Sequence, residues 1–446
     1  MSAIIDRPRF GCPLGGALGM IRALPRTVPI VHASTGCAYN IYVGMNSGAG
    51  YLGGGYCGAT STPSSNVVEK EIVFGGEERL REQIATTLEV MDGDLYVVLS
   101  GCMVEMIGDD AQSVTDNFKN APNPVIYVST PGFKGNSAYG YDVVLEALAK
   151  EYVSPRKRKK ADKVNVFGLI PGGDVFYKGN LREIKRLLNL IGLEANTLIG
   201  EGETLADVKN SGDAALNVVL SDVYAPLAAA AYENIHNIPS LRTPLPIGYL
   251  QTERFLRLIG GHLGIEKEII DKALKSEQNV YFDYFERISD SYNDIDFQRY
   301  GLVVADANYA PAITEFIADE LGWLPHLTVV TDELTERQQE LLNKRFNNYA
   351  SGVKTHIRYD SNTASVRRHL SGSWERNCNH RYYDSFSPAV VFGSVFEREL
   401  AEELQAPLLT VSFPITNRVV FNRGYAGTSG GLAFAEDTFG LLVAGR

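Results

Sequence analysis

Apolar runs of strand length alternate with amphipathic segments of helix length along almost the whole chain, the pattern of an α/β protein whose parallel strands are covered on both faces. In the first third, Val28 to Ala33, Leu95 to Ser100 and Val125 to Ser129 read as strands, with helices over Gly15 to Ala23, Glu77 to Met91 and Tyr141 to Glu151. The basic run Ser154-Pro-Arg-Lys-Arg-Lys-Lys160 makes a poor core element and reads as a solvated linker. The series then restarts with strand Val164 to Ile170, helix Leu181 to Ile191, strand Ala215 to Ser221 and helix Ala225 to Ile235. A polar, tyrosine-rich helical segment from Lys267 to about Arg299 leads into a third unit. That unit has strands Leu302 to Ala305, Leu327 to Thr331, Ala389 to Phe392 and Leu408 to Val411, with helices Ala310 to Leu321, Glu333 to Tyr349 and Val395 to Leu404 between them. The expected fold is α/β, with three Rossmann-like domains of mostly parallel sheets over residues 1–160, 161–299 and 300–446.

Length agrees: 446 residues at roughly 150 per domain give about three domains. With 45% hydrophobic and 21% charged residues, the composition is globular and excludes bulk disorder. A net charge of -11 leaves no basic surface for nucleic acid or an anionic membrane, so neither is an expected partner. The chain has no apolar run of bilayer-spanning length, and its first residues lack the apolar core of a signal peptide, which makes the cytoplasm the expected location.

Candidate chemistry lies in the cysteines. Five are too few for a disulfide scaffold, and three of them, Cys12, Cys37 and Cys102, fall in the first 102 residues, each preceded by glycine. Cys102 follows the strand Leu95 to Ser100, Cys37 lies a few residues past the strand ending near Ala33, and Cys12 precedes Pro13, which suits a first helical turn. Ligands of parallel sheets collect at strand carboxyl ends, and helix starts favour the thiolate that binds metal. The spacing is too long for a local zinc ribbon or ferredoxin run. Two readings therefore stand: an iron–sulfur or other metal site, or three buried structural thiols. Cys57, in a glycine-rich loop, is a candidate extra ligand or a bland thiol, and Cys378 beside His380 reads as structural or surface. His32, next to a strand, reads as a satisfied core histidine. Gly48-Ala-Gly-Tyr-Leu-Gly53 matches a dinucleotide fingerprint but lacks the helix that must follow it. No P-loop, H-E-x-x-H or G-x-S-x-G is present.

Taken in order, Cys12-Pro-Leu-Gly, Pro29-Ile-Val-His-Ala-Ser-Thr-Gly-Cys37, Val73-Phe-Gly-Gly76 and Gly101-Cys-Met-Val-Glu-Met-Ile-Gly-Asp-Asp110 resemble the component 1 of nitrogenases and nitrogenase-like reductases. Thr130-Pro-Gly-Phe-Lys-Gly-Asn-Ser-Ala-Tyr-Gly-Tyr-Asp142, Phe413-Pro-Ile-Thr-Asn-Arg418 and Gly424-Tyr-Ala-Gly427 resemble its beta-type subunit. The resemblance implies that clusters lie between domains and at the subunit interface. Cys12, Cys37 and Cys102 would then be ligands to an [8Fe-7S] P-cluster-type iron–sulfur cluster shared with an alpha-type subunit, in a heterotetramer of two alpha and two beta chains. It also implies an ATP-dependent homodimeric iron protein as electron donor, docking near Glu105 to Asp110 at a helix start. An iron–sulfur active-site cofactor and the catalytic groups would belong to the alpha-type partner.

Departures from the family pattern bear on the substrate. Gly132 stands where molybdenum nitrogenase has a serine ligand, the glutamine usual after the first cysteine is missing, Gly48 to Pro63 is unlike familiar beta chains, and little precedes Cys12. The expected activity is therefore oxidoreduction by a nitrogenase-like complex, with methylthio-alkane reductase leading. A dinitrogenase beta subunit, a cofactor-assembly scaffold and a structural α/β protein with buried thiols are the alternatives.

Overall fold

The computed structural model describes residues 5–34, 36–38, 44, 47–51, 62–155, 160–294, 297–371 and 389–444. Three sheets form, and every pairing within them is parallel. The first takes β1 (Thr27–His32), β2 (Leu95–Ser100) and β3 (Val125–Ser129) in the order β1-β2-β3. The second takes β4 (Lys163–Phe167), β5 (Glu194–Asn196), β6 (Leu216–Val219) and β7 (Ser240–Arg242) in the order β5-β4-β6-β7. The third takes β8 (Tyr300–Ala305), β9 (Leu324–Val330), β10 (His356–Tyr359), β11 (Ala389–Gly393) and β12 (Leu408–Thr410) in the order β10-β9-β8-β11-β12.

Central strands are buried at every position, β2, β4, β6 and β11 among them; β2 and β11 run apolar up to their last residue, while β4 and β6 also bury Asn165 and Asn217, which hydrogen-bond each other at 2.9 Å. The strands that hydrophobic patterning does not reveal are the short edges β5, β7 and β10. Ser240-Leu-Arg242 and His356-Ile-Arg-Tyr359 are half exposed, so no apolar run marks them. Helix ends also move. The segment from Tyr141 is preceded by a full turn, the helix running Ser137–Ala147 with Asn136 Oδ1 accepting from the amide of Ala138. The third-unit helix spans Glu336–Phe346, because Thr335 and Gln338 cap it reciprocally. Val395 to Leu404 divides into a tight turn, Val395–Glu397, and a helix, Arg398–Glu403.

The C-terminal helix Gly427–Ala444 has no counterpart in the sequence reading, since its glycines look like loop. They serve close packing instead. A Cβ on Gly431 would lie 2.5 Å from the Gly248 Cα, so the helix can approach the start of helix Gly248–Leu263 only without that side chain. Among the described residues no helix is long and apolar enough to cross a membrane. The basic run falls partly outside the described residues.

Candidate metal centre

Three chain segments bring the early cysteines to one place at the end of the first sheet. Cys12 is the N-cap of helix Pro13–Ala23, whose first turn begins with the Gly15 amide donating to the Cys12 carbonyl at 2.9 Å. Cys37 sits in a helical turn after β1, with the Ser34 hydroxyl 3.5 Å from its sulfur. Cys102 is the first residue of helix Cys102–Ile107, directly after β2. Gly101 before it lets β1 and β2 end side by side, since a Cβ there would meet the Ala33 Cβ at 2.6 Å.

The loop after β3 closes the group. The Gly132 amide donates to the Cys102 sulfur at 3.0 Å. A Cβ on Gly132 would lie 3.2 Å from the Cys102 sulfur and 3.8 Å from the Cys12 Cβ, so both cysteines face this one point. Burial pushes the Cys12 thiol up, the amides of Gly15 and Leu14 oppose that, and the charges of Cys102 and Cys37 add to it. A helix start alone therefore does not hold Cys12 as thiolate; a bound cation would. Among the described residues no three His, Cys, Asp or Glu side chains converge closely enough to hold a single metal ion. The donor set is three soft thiols, with Cys12 and Cys102 exposed and Cys37 half-buried, the ligand type that iron–sulfur groups take.

Two polar assemblies brace the cysteines. Glu105, one turn along from Cys102, accepts from the hydroxyls of Ser100, Tyr127 (2.8 Å) and Ser129 (2.5 Å), and pairs with Lys134 at 3.7 Å. Burial would raise Glu105, but those hydroxyl bonds outweigh it and hold the carboxyl below its usual range. His32 is fully buried on β1, bonded to Ser65 Oγ at 2.9 Å and Asp109 Oδ2 at 3.1 Å, and burial lowers its pKa so that it is neutral. Asp109 also accepts from the Gly76 amide at 2.9 Å. Helix Cys102–Ile107 begins at the cysteine and ends before Gly108, so Glu105 to Asp110 does not begin a helix as expected; Asp110 instead caps the following helix, Ala111–Asp116.

The family model for nitrogenase component 1 type oxidoreductases matches residues 12–442. This chain belongs to that family. A molybdenum-iron protein beta chain of Methanococcus maripaludis is 23% identical over 96% of this chain and 92% of its own length. The beta chain of Azotobacter vinelandii is 24% identical over 95% of this chain and 82% of its own. In fold, the solved structure of nitrogenase Cp1 at pH 6.5 covers 100% of this chain and 94% of its own with a TM-score of 0.78 at 19% identity. The chain is thus a beta-chain-like subunit of a component 1 type oxidoreductase.

In this component 1 type chain the structure brings together Cys12, Cys37 and Cys102, while Cys57, Cys378 and His380 lie outside the described residues. Glu105, His32 and Asp109 act through contacts distant in sequence, which no spacing rule reveals. Gly48 and Gly50 serve packing: their backbones pair with Ile415, and Gly48 lies against Phe413 and Pro414.

Proposed function

We propose that this chain is the beta-type subunit of a nitrogenase-like reductase and that Cys12, Cys37 and Cys102 hold its half of an [8Fe-7S] P-cluster-type cluster shared with an alpha-type subunit. The observation that carries the proposal is that three segments bring their thiols together at the end of the first sheet, Cys12 and Cys102 facing Gly132 and Cys37 near enough for its charge to act on Cys12. When bound, such a cluster takes up and passes on electrons at low potential. The chain's own residues position the ligands. Gly132 donates its amide to the Cys102 sulfur, the Ser34 hydroxyl lies at the Cys37 sulfur, and Glu105 ties the Cys102 helix to the ends of β2 and β3.

Apolar side chains on the neighbouring surface suit protein partners that exclude water. Phe74 is 82% exposed, and Val73 beside it, Met106 on the Cys102 helix and Phe133 next to Gly132 are exposed as well. An alpha-type subunit, in a heterotetramer of two alpha and two beta chains, and a homodimeric ATP-dependent iron protein are the proposed partners, in the cytoplasm. The iron–sulfur active-site cofactor and the acid–base groups fall to the alpha-type subunit.

For the substrate, we infer a methylthio-alkane. Cleaving its carbon–sulfur bond consumes two electrons and two protons and releases methanethiol and a hydrocarbon. Support comes from Gly132, which offers no side-chain ligand where the molybdenum enzyme has serine, and from identities of only 23% and 24% to the molybdenum-iron beta chains compared above. The names of those relatives favour a second reading, a dinitrogenase beta subunit.

Anaerobic co-purification with the alpha-type chain, iron counting, and assay with a methylthio-alkane and with dinitrogen test these readings. Cys37→Ser and Cys102→Ser are expected to lose most of the iron this chain helps to hold, since a hydroxyl is a poor substitute for a soft thiolate. Full iron in both variants overturns the ligand assignment. Dinitrogen reduction without thioether cleavage overturns the substrate.

A further inference from the structure

Behind the cysteine face, loops from the carboxyl ends of all three sheets enclose a cavity of about 60 Å³ that adjoins a larger one of about 540 Å³. The strand orders place it where open parallel sheets collect ligands. Winding reverses between β4 and β6 in the second sheet and between β8 and β11 in the third, and such switch points open a crevice beyond the strand ends. Asp174 lies in the loop leaving β4, and Asp306 directly follows β8.

Three carboxylates, Asp174, Asp306 and Asp332, face the small cavity. Asp306 accepts from the amides of Asn308 and Tyr309 at 3.0 and 3.1 Å and from Ser412 Oγ at 3.1 Å. Asp332 accepts from the Tyr224 hydroxyl at 2.6 Å and the Ala307 amide at 2.7 Å. Asp174 accepts from the Phe176 amide at 2.8 Å and the Tyr309 hydroxyl at 2.9 Å. Among the described residues of the wall the cationic side chain is Arg9, whose Nη1 is held by Ser394 at 2.6 Å and Glu397 at 2.9 Å while its Nε has no hydrogen-bond partner. Among the described residues none of the three carboxylates is ion-paired with a cationic side chain; the pair that Arg9 makes is with Glu397. Burial and the charge of Asp306 push Asp174 and Asp332 up to about 7, and burial raises Asp306 as well.

Asn308 supplies an independent sign of a missing ligand. Only 5% exposed, it donates Nδ2 to the Gly168 carbonyl at 3.0 Å, while its Oδ1 has no hydrogen-bond partner and belongs to the same wall. A buried oxygen without a donor is costly and uncommon.

We propose that this junction binds a small organic cation, its primary ammonium group seated among Asp174, Asp306, Asp332 and Asn308 Oδ1, and its apolar substituent in the larger cavity against Phe10, Phe396, Phe413 and Pro414. The wall offers acceptors and negative charge; an ammonium group brings three N–H donors and one positive charge. A bare metal ion fits less well, because the carboxylates do not converge on one ion-sized point. The titratable and charged groups facing the site are Arg9, Asp174, Tyr224, Asp306, Tyr309 and Asp332, with Glu397 behind Arg9. A bound cation favours the ionised carboxyls, so binding at pH 7 releases protons and tightens as pH rises from 6 to 8.

Calorimetric titration of the full chain, co-purified with its partner, with n-butylammonium chloride tests the site. Saturable binding is expected, at least about tenfold tighter than for n-butanol or potassium ion, with proton release at pH 7. Asp306→Asn suits the fold, since its Oδ1 still accepts both amides and its Nδ2 faces Ser412 Oγ. It is expected to weaken n-butylammonium about tenfold, while the thermal midpoint without ligand holds or rises. Absence of binding, equal binding of n-butanol or potassium, or an Asp306→Asn affinity within about twofold of wild type overturns the proposal. The comparison of the three probes needs no variant.

Discussion

Glu105 does more for the cysteine site than its place in a short helix implies. It collects three hydroxyls and an ammonium group from β2, β3 and the loop that carries Gly132. Glu105→Ala leaves those hydroxyls without their common acceptor, and the urea midpoint is expected to fall by an amount equivalent to about 2 kcal/mol. An unchanged midpoint would mean the hydroxyls find other acceptors. Gly132 allows a different change. Its φ is not in the left-handed region, and a Cβ there would stand 3.2 Å from the Cys102 sulfur. Gly132→Ser is therefore expected to fold and to place a hydroxyl at the cysteine group, altering the spectra of the oxidised loaded complex while leaving its iron content unchanged. Loss of iron in this variant would show that the loop has no room to give.

Helix Pro13–Ala23 crosses helix Ser137–Ala147 at backbone contact. A Cβ on Gly16 would lie 1.8 Å from the Ser137 carbonyl oxygen, and one on Gly140 would lie 1.8 Å from the Pro13 carbonyl oxygen. Neither distance is tolerable, so the helices must part. Gly16→Ala or Gly140→Ala is expected to destabilise by about 3 kcal/mol. Because Cys12 caps the first helix, the shift should also lower retained iron; a denaturation curve and an iron count on each variant check both effects. At this scale patterning finds what is buried. It marks β2 and β11, buried at every position and apolar up to the terminal Ser100 and Gly393, and does not mark β7 and β10, whose half-exposed positions carry arginine and histidine. Nor does it mark helix Gly427–Ala444, where glycine serves contact with a neighbour that the local sequence does not name.

Across the whole molecule, buried acid at the junction of the sheets gives stability a pH dependence of definite sign. Asp174 and Asp332 titrate near 7 in the folded chain, against the usual carboxylate range when unfolded. The folded state therefore binds their protons more tightly, and stability falls as pH rises from about 4 through 7. Lowering pH from 8 to 7, above the range where the buried neutral His32 begins to oppose, is expected to raise the urea midpoint. Asp306→Asn should flatten that dependence by removing a repelling charge. A midpoint independent of pH in that window would mean the carboxyls are ionised and compensated.

The order of Cys12, Cys37 and Cys102 with their glycine and strand contexts, and the alternation of apolar runs, are properties of the chain itself, and they suffice for the α/β class and the candidate ligands. Which of them share a face is not in the chain. Convergence depends on the parallel register of β1 and β2, which ends His32 beside Ser100, and on the loop after β3 that brings Gly132 to the Cys102 sulfur. The junction of Asp174, Asp306 and Asp332 was equally invisible, because its members are separated along the sequence and only the crossing of two wound sheets makes their charges neighbours. Local pattern encodes which surfaces are buried, through the hydrophobic effect; electrostatic and ligand geometry depends on distances between segments, which folding alone sets.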